Sequence, residues 1–116
     1  MSSRVYCVAQ FLPKSGKEAE LFAVLQSLEP NTLREDGCLS YRVTRQITSR
    51  FADGTSFPIV FHETWASMAD FEAHCQRKEI VQFFERYCLA DTGLAAQWNV
   101  CVYSDEPAEF DTPVLA

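Results

Sequence analysis

FHETWASMADFEAH, residues Phe61 to His74, decides how this chain is read. Up to Trp65 the side chains have a period of two. Phe61, Glu63 and Trp65 share one face, while His62 and Thr64 share the other, which is the pattern of a strand. After Ser67 the period changes. Ser67 followed by Asp70 resembles a capping box with aspartate in place of glutamate, so a helix is predicted to start there. A strand here hands directly to a helix. Trp65 and His74 then flank the corner between sheet and helix.

Working outward, Phe57–Trp65 reads as the third strand, apolar on both faces. Asp53-Gly54 is a turn signal that pairs it with an earlier strand, Leu39–Ile47, as a long-looped hairpin. There Leu39, Tyr41, Val43 and Ile47 alternate with polar residues. Arg4–Leu12 is the first strand, ended by Pro13. A helix is predicted from Lys17, with Phe22, Leu25 and Leu28 on its buried stripe. Pro30 predicts a kink or restart, because proline lacks a backbone donor. Asn31–Glu35 finishes that region before Asp36-Gly37. The second helical stretch runs from Ser67 to Leu89 with a break near Gln76–Lys78, and Trp98–Tyr103 is the fourth strand. The order β-α-β-β-α-β predicts an α+β, ferredoxin-like fold, with a four-stranded antiparallel sheet and both helices on one face. Residues 1–104 form one domain on this reading, and 105–116 form a C-terminal tail.

The other sheet face carries Tyr6, Val8, Leu12 and Val60, and no element remains to cover it. A homodimer packed sheet on sheet is therefore expected. The 116 residues, 47% hydrophobic, suffice for a core. A net charge of -6 argues against nucleic acid and anionic membrane as partners. The five cysteines contain no CxxC and fit neither zinc nor a disulfide framework. They read as free thiols of a cytoplasmic protein, with neither signal peptide nor membrane span expected.

His74 is the main candidate for chemistry. It lies about 60° around the helix from Phe71, at the edge of the apolar stripe, where an imidazole can move a proton near neutral pH. The plain alternative is a packed histidine bonded to a backbone carbonyl. Trp65 reads either as a wall that stacks on a flat ligand or as a core aromatic. Glu63 shares its face and, if buried, is expected to pair with Arg42 or Arg45, with a general base as the alternative reading. Tyr41 and Tyr87 offer hydroxyls. Phe22, Leu25, Phe71 and Phe84 are candidate substrate contacts as well as core. His62 points to the opposite face, so no His62–His74 metal pair is expected. No ligand spacing, phosphate loop or dinucleotide fingerprint occurs.

KSGKEAE after the first strand, Gly37-Cys38-x-x-Tyr41 in EDGCLSY, Glu63-x-Trp65 in FHETW, and His74 in FEAH together resemble the antibiotic biosynthesis monooxygenase superfamily of dimeric α+β barrel proteins. The resemblance spans Val5 to Tyr103. It implies a homodimer with a small-molecule pocket between helices and sheet in each subunit. It also implies a cofactor-independent monooxygenase acting on a quinol or hydroxylated aromatic, with dioxygen as co-substrate, His74 catalytic, and neither cofactor nor metal. An isomerase of a small sugar-like signalling metabolite and a non-catalytic binding or stress-response module are the alternatives. In haem-degrading relatives a tryptophan and histidine like Trp65 and His74 work with a first-strand asparagine. VYCVAQF has none, only Gln10, which argues against haem degradation.

Overall fold

The computed structural model of the chain describes residues 3–107. Its elements are β1 (Val5–Pro13), α1 (Glu18–Ser27), α2 (Glu29–Leu33), β2 (Cys38–Arg45), β3 (Ile59–Trp65), α3 (Met68–Cys75), α4 (Lys78–Phe83) and β4 (Ala95–Tyr103). A π-helical turn, Phe84–Leu89, continues α4. The strands form one antiparallel sheet in the order β2-β3-β1-β4. This is the ferredoxin-like arrangement that the element order predicts. Among the described residues, no helix is long and apolar enough to cross a membrane.

β1 is central and buries every second residue, Val5, Cys7, Ala9 and Phe11. These contribute the sheet side of the core, and Phe61 and Trp65 of β3 extend it. The intervening residues Tyr6, Val8 and Leu12 are half-buried on the other face, where they mix with Gln10 and the exposed His62.

Several boundaries differ from the sequence reading for identifiable reasons. The buried stripe of α1 is Leu21, Leu25 and Leu28, with Phe22 at its half-exposed flank. β2 ends at Arg45 instead of Ile47, which is 72% exposed. Gln46 donates its backbone N–H to the Pro58 carbonyl, and proline has no N–H to return, so the ladder stops. The Gln46 side chain then binds Gly54 and Ser56 of the loop. β4 starts at Ala95, earlier than expected. The helix restarts at Glu29, with Pro30 in its first turn, where a missing donor is harmless.

The corner at Ser67 is built as the sequence suggests. Ser67 Oγ accepts from the Asp70 backbone N–H at 3.1 Å and bonds its carboxylate at 2.9 Å. Gly37 packs against that carboxylate with a φ of 80°, so a side chain here would be both strained and in collision with Asp70. The Gly37 carbonyl also accepts from Ala66 at 2.8 Å. The start of β2 is thus pinned to the start of α3. At the C-terminal end, Asp105 accepts from the Tyr6 hydroxyl. The expected tail lies outside the described residues beyond position 107.

Candidate functional site

Between the helix-facing side of the sheet and α1, α3 and α4 lies a cavity of about 40 Å³. Roughly 10–15 Å³ accommodates one water, so this space holds a few waters and no aromatic ring. Phenylalanines 11, 61, 71, 83 and 84 form much of its wall. The polar side chains that reach it are Glu63, His74, Tyr41 and the thiols of Cys7 and Cys75.

His74 is placed by α3 and is only 4% exposed. It is therefore deeper than the rim position expected from its helical angle. The connection from α2 to β2 covers it and supplies Glu35, whose Oε2 lies 2.9 Å from His74 Nδ1. The same oxygen accepts from Arg77 Nη1 at 2.6 Å. A carboxylate already paired with arginine acts as an acceptor, so Nδ1 carries the imidazole proton and Nε2 keeps its lone pair. Burial lowers the pKa of His74 below its ordinary value, and Glu35 opposes that shift. The ring is further fixed by Trp65, 4.6 Å away between centroids, and Tyr41 at 5.3 Å.

Trp65 is fully buried and lies one layer behind the cavity wall. Its indole Nε1–H donates to Glu63 Oε1 at 3.0 Å. That bond replaces the arginine pairing expected for Glu63. In the β2–β3 register Arg42 is opposite His62, on the far face, and Arg45 is opposite Ile59, four residues along the strand. Glu63 is 7% exposed. Burial pushes its carboxyl up to about 7, against smaller opposing effects of the Trp65 and Cys7 hydrogen bonds. Burial likewise raises Tyr41 and Cys7, and it takes Cys75 to about 11.

Leu25, Tyr41, Phe71, Phe84 and His74 thus meet at one cavity. Two other candidates lie elsewhere. Phe22 lines a surface groove beside Arg45 and Ile59, and Tyr87 lines another beside Val24 and Arg86. Glu35 was not anticipated at the site: it is 39 residues from His74, and no local pattern marks it. The two-residue period does place Glu63 on the Trp65 face, but the sequence favours an arginine partner for it, where the structure gives it the Trp65 indole and a place on the cavity wall. The π-helical turn that carries Phe84 also has no sequence signature, although such turns concentrate at functional sites.

The family profile described as antibiotic biosynthesis monooxygenase matches residues 4–86. A crystal structure of a Shewanella oneidensis protein is similar to this chain at 32% identity, with a TM-score of 0.71, over 90% of this chain and 92% of that one. A Pseudomonas aeruginosa protein shares the fold at 19% identity, TM-score 0.71, over 90% and 95% of the two chains. A Mesorhizobium loti protein described as a dabb family protein with a ferredoxin-like fold does so at 14% identity, TM-score 0.66, over 88% and 96%. None of the curated proteins matches the chain at a significant level.

Proposed function

This chain belongs to the antibiotic biosynthesis monooxygenase family, and from that premise we propose that it is a cofactor-independent monooxygenase of a quinol or hydroxylated aromatic. The observation that carries the reading is an imidazole, oriented from behind by Glu35 and set into the wall of a largely apolar cavity. In this reading a substrate hydroxyl meets His74 Nε2. Its O–H bond breaks, the proton goes to Nε2, and the electron pair stays on oxygen. Glu35 stabilises the imidazolium that forms. The substrate anion then reduces dioxygen. One oxygen atom ends on a substrate carbon, and the other leaves as water with the two hydrogens the substrate loses. The chain's part is to exclude water, orient the ring and hold the proton.

An aromatic ring needs more room than about 40 Å³, since even benzene occupies an engineered cavity of roughly 150 Å³. Binding therefore displaces Phe71 or Phe84, the half-buried members of the wall. The small cavity also favours the second reading, a non-catalytic binding module filled by its own phenylalanines. The isomerase alternative is less supported. Among the described residues, no lysine or arginine lines the cavity, and Arg77 is engaged by Glu35.

Oxygen uptake with a panel of quinols tests the proposal. Uptake should depend on substrate, and His74→Ala should lower its rate about a hundredfold or more, the usual worth of a positioned base. Unchanged turnover in that variant would remove His74 from the mechanism, and no uptake with any quinol would favour the binding module.

Assembly forms part of the same reading. We propose that the face carrying Tyr6, Val8, Leu12 and Val60 packs on its copy in a homodimer. Light scattering should give twice the 13.2 kDa chain mass; a clean monomer would contradict this arrangement.

A further inference from the structure

Glu63 is a buried carboxyl that the proton transfer above does not use. In the sheet it is paired with Cys7 on β1 and Tyr41 on β2, so the three side chains form a row under the cavity. Across the space are His74 and Cys75 of α3. The Trp65 indole is its close donor, and the Cys7 thiol lies beside it in the register of the sheet. Among the described residues, no lysine or arginine lines the cavity. The nearby Glu35 has its own donors in His74 and Arg77.

A carboxylate in such surroundings is poorly compensated, whereas the neutral acid is not. The neutral acid also brings an O–H: the indole occupies Oε1, and among the described residues no hydrogen bond is made by Oε2, so a proton there is free to face the cavity. An oxygen acceptor supplied by a ligand would satisfy it.

We propose that Glu63 is a ligand-binding group of this cavity, a neutral carboxylic acid that donates a hydrogen bond to a carbonyl or phenolate oxygen on an otherwise apolar ligand. This rests on the reading of the cavity as the ligand site. It narrows the ligand class to flat apolar bodies bearing an acceptor oxygen, and it disfavours cationic groups, which would bind the carboxylate instead. Among the groups facing Glu63, it is the one raised into the neutral range. Burial holds Tyr41 and Cys7 well above this range and Cys75 at about 11, lowers His74 below its ordinary value, and places Glu63 itself at about 7.

Two measurements test this, and neither requires turnover. The chain has two tryptophans, so Trp98→Phe assigns the Trp65 indole N–H in a proton–nitrogen NMR spectrum. That resonance should move in one step near pH 7 and should stay fixed in Glu63→Gln. A step in the ordinary carboxylate range, or the same step in the Gln variant, would overturn the proposal. Acetophenone, an aromatic carbonyl that does not alkylate thiols, serves as the binding probe. Its affinity should fall about tenfold between roughly pH 6 and roughly pH 8.5 as the acid ionises. Glu63→Gln keeps an N–H donor at every pH, so its affinity should be flat. Affinity that rises with pH, is flat in the wild type, or is absent at both pH values would overturn the assignment. The oxygenase reading fails separately, through absent oxygen uptake while acetophenone still binds in this pH-dependent way.

Discussion

Replacing Trp65 by alanine should lower the stability of the fold by about 3–5 kcal/mol. That is a large share of the roughly 5–15 kcal/mol that holds a typical domain together. Trp65 is fully buried and contacts Tyr41, Phe71 and His74 by its ring faces and edges. Truncation loses its transfer energy and opens a void between β3 and α3. It also removes the indole donor from Glu63. That bond acts against the rise in the Glu63 carboxyl, so its loss makes ionised Glu63 less tolerable. The loss of stability should therefore be greater at about pH 8 than at about pH 5. Trp65→Phe retains most of the packing and loses the N–H, so it should fall between, at about 1–3 kcal/mol. Urea unfolding followed by circular dichroism measures all three chains. A loss under about 1 kcal/mol for alanine would mean that Trp65 is not the prop of this corner.

The corner itself was legible because its signals are local. The change from period two to helical spacing across Trp65 and Ser67, the Ser67–Asp70 cap and Pro30 each act within one turn of chain. Together they give the element order, and the handedness of crossovers gives the topology. What stayed hidden depends on residues distant in sequence. The depth of His74 is set by Glu35 arriving from the far side of β2. The buried stripe of α1 is turned toward Leu21 by the sheet beneath it, which composition alone does not distinguish from Phe22. The early end of β2 needs Pro58 opposite Gln46, a pairing that only the register reveals. The same holds for Glu63. Its face could be read from Trp65, but its neighbours required the alignment of three strands. That alignment places Cys7 and Tyr41 beside it and leaves both candidate arginines out of reach.

Glu63→Gln should make the fold more stable above neutrality. The buried carboxyl titrates near 7 in the folded chain, against an ordinary value of 4.5. A carboxyl whose value is raised by folding holds its proton more tightly folded than unfolded. Its effect is absent below the unfolded value, and destabilisation grows as pH rises through the interval until the group is ionised in both states. Raising a carboxyl from 4.5 to about 7 corresponds to about 3 kcal/mol at high pH. Glutamine keeps an oxygen for the Trp65 indole and carries no charge, so it removes this penalty. The variant and wild type should be nearly equal at about pH 4 and differ by about 2–3 kcal/mol, in favour of glutamine, at about pH 8. His74 slopes the other way in both chains: its lowered value withdraws stability as pH falls through its ordinary range near 6.5. Comparing the two chains at each pH cancels that common part. Urea midpoints across the range measure the difference, and a gap that does not open between about pH 5 and about pH 7 would mean that Glu63 ionises normally. A widening gap has a functional meaning. A chain that keeps a destabilising acid in its core, where an amide would be more stable, is trading stability for a proton at the cavity, as active sites commonly do.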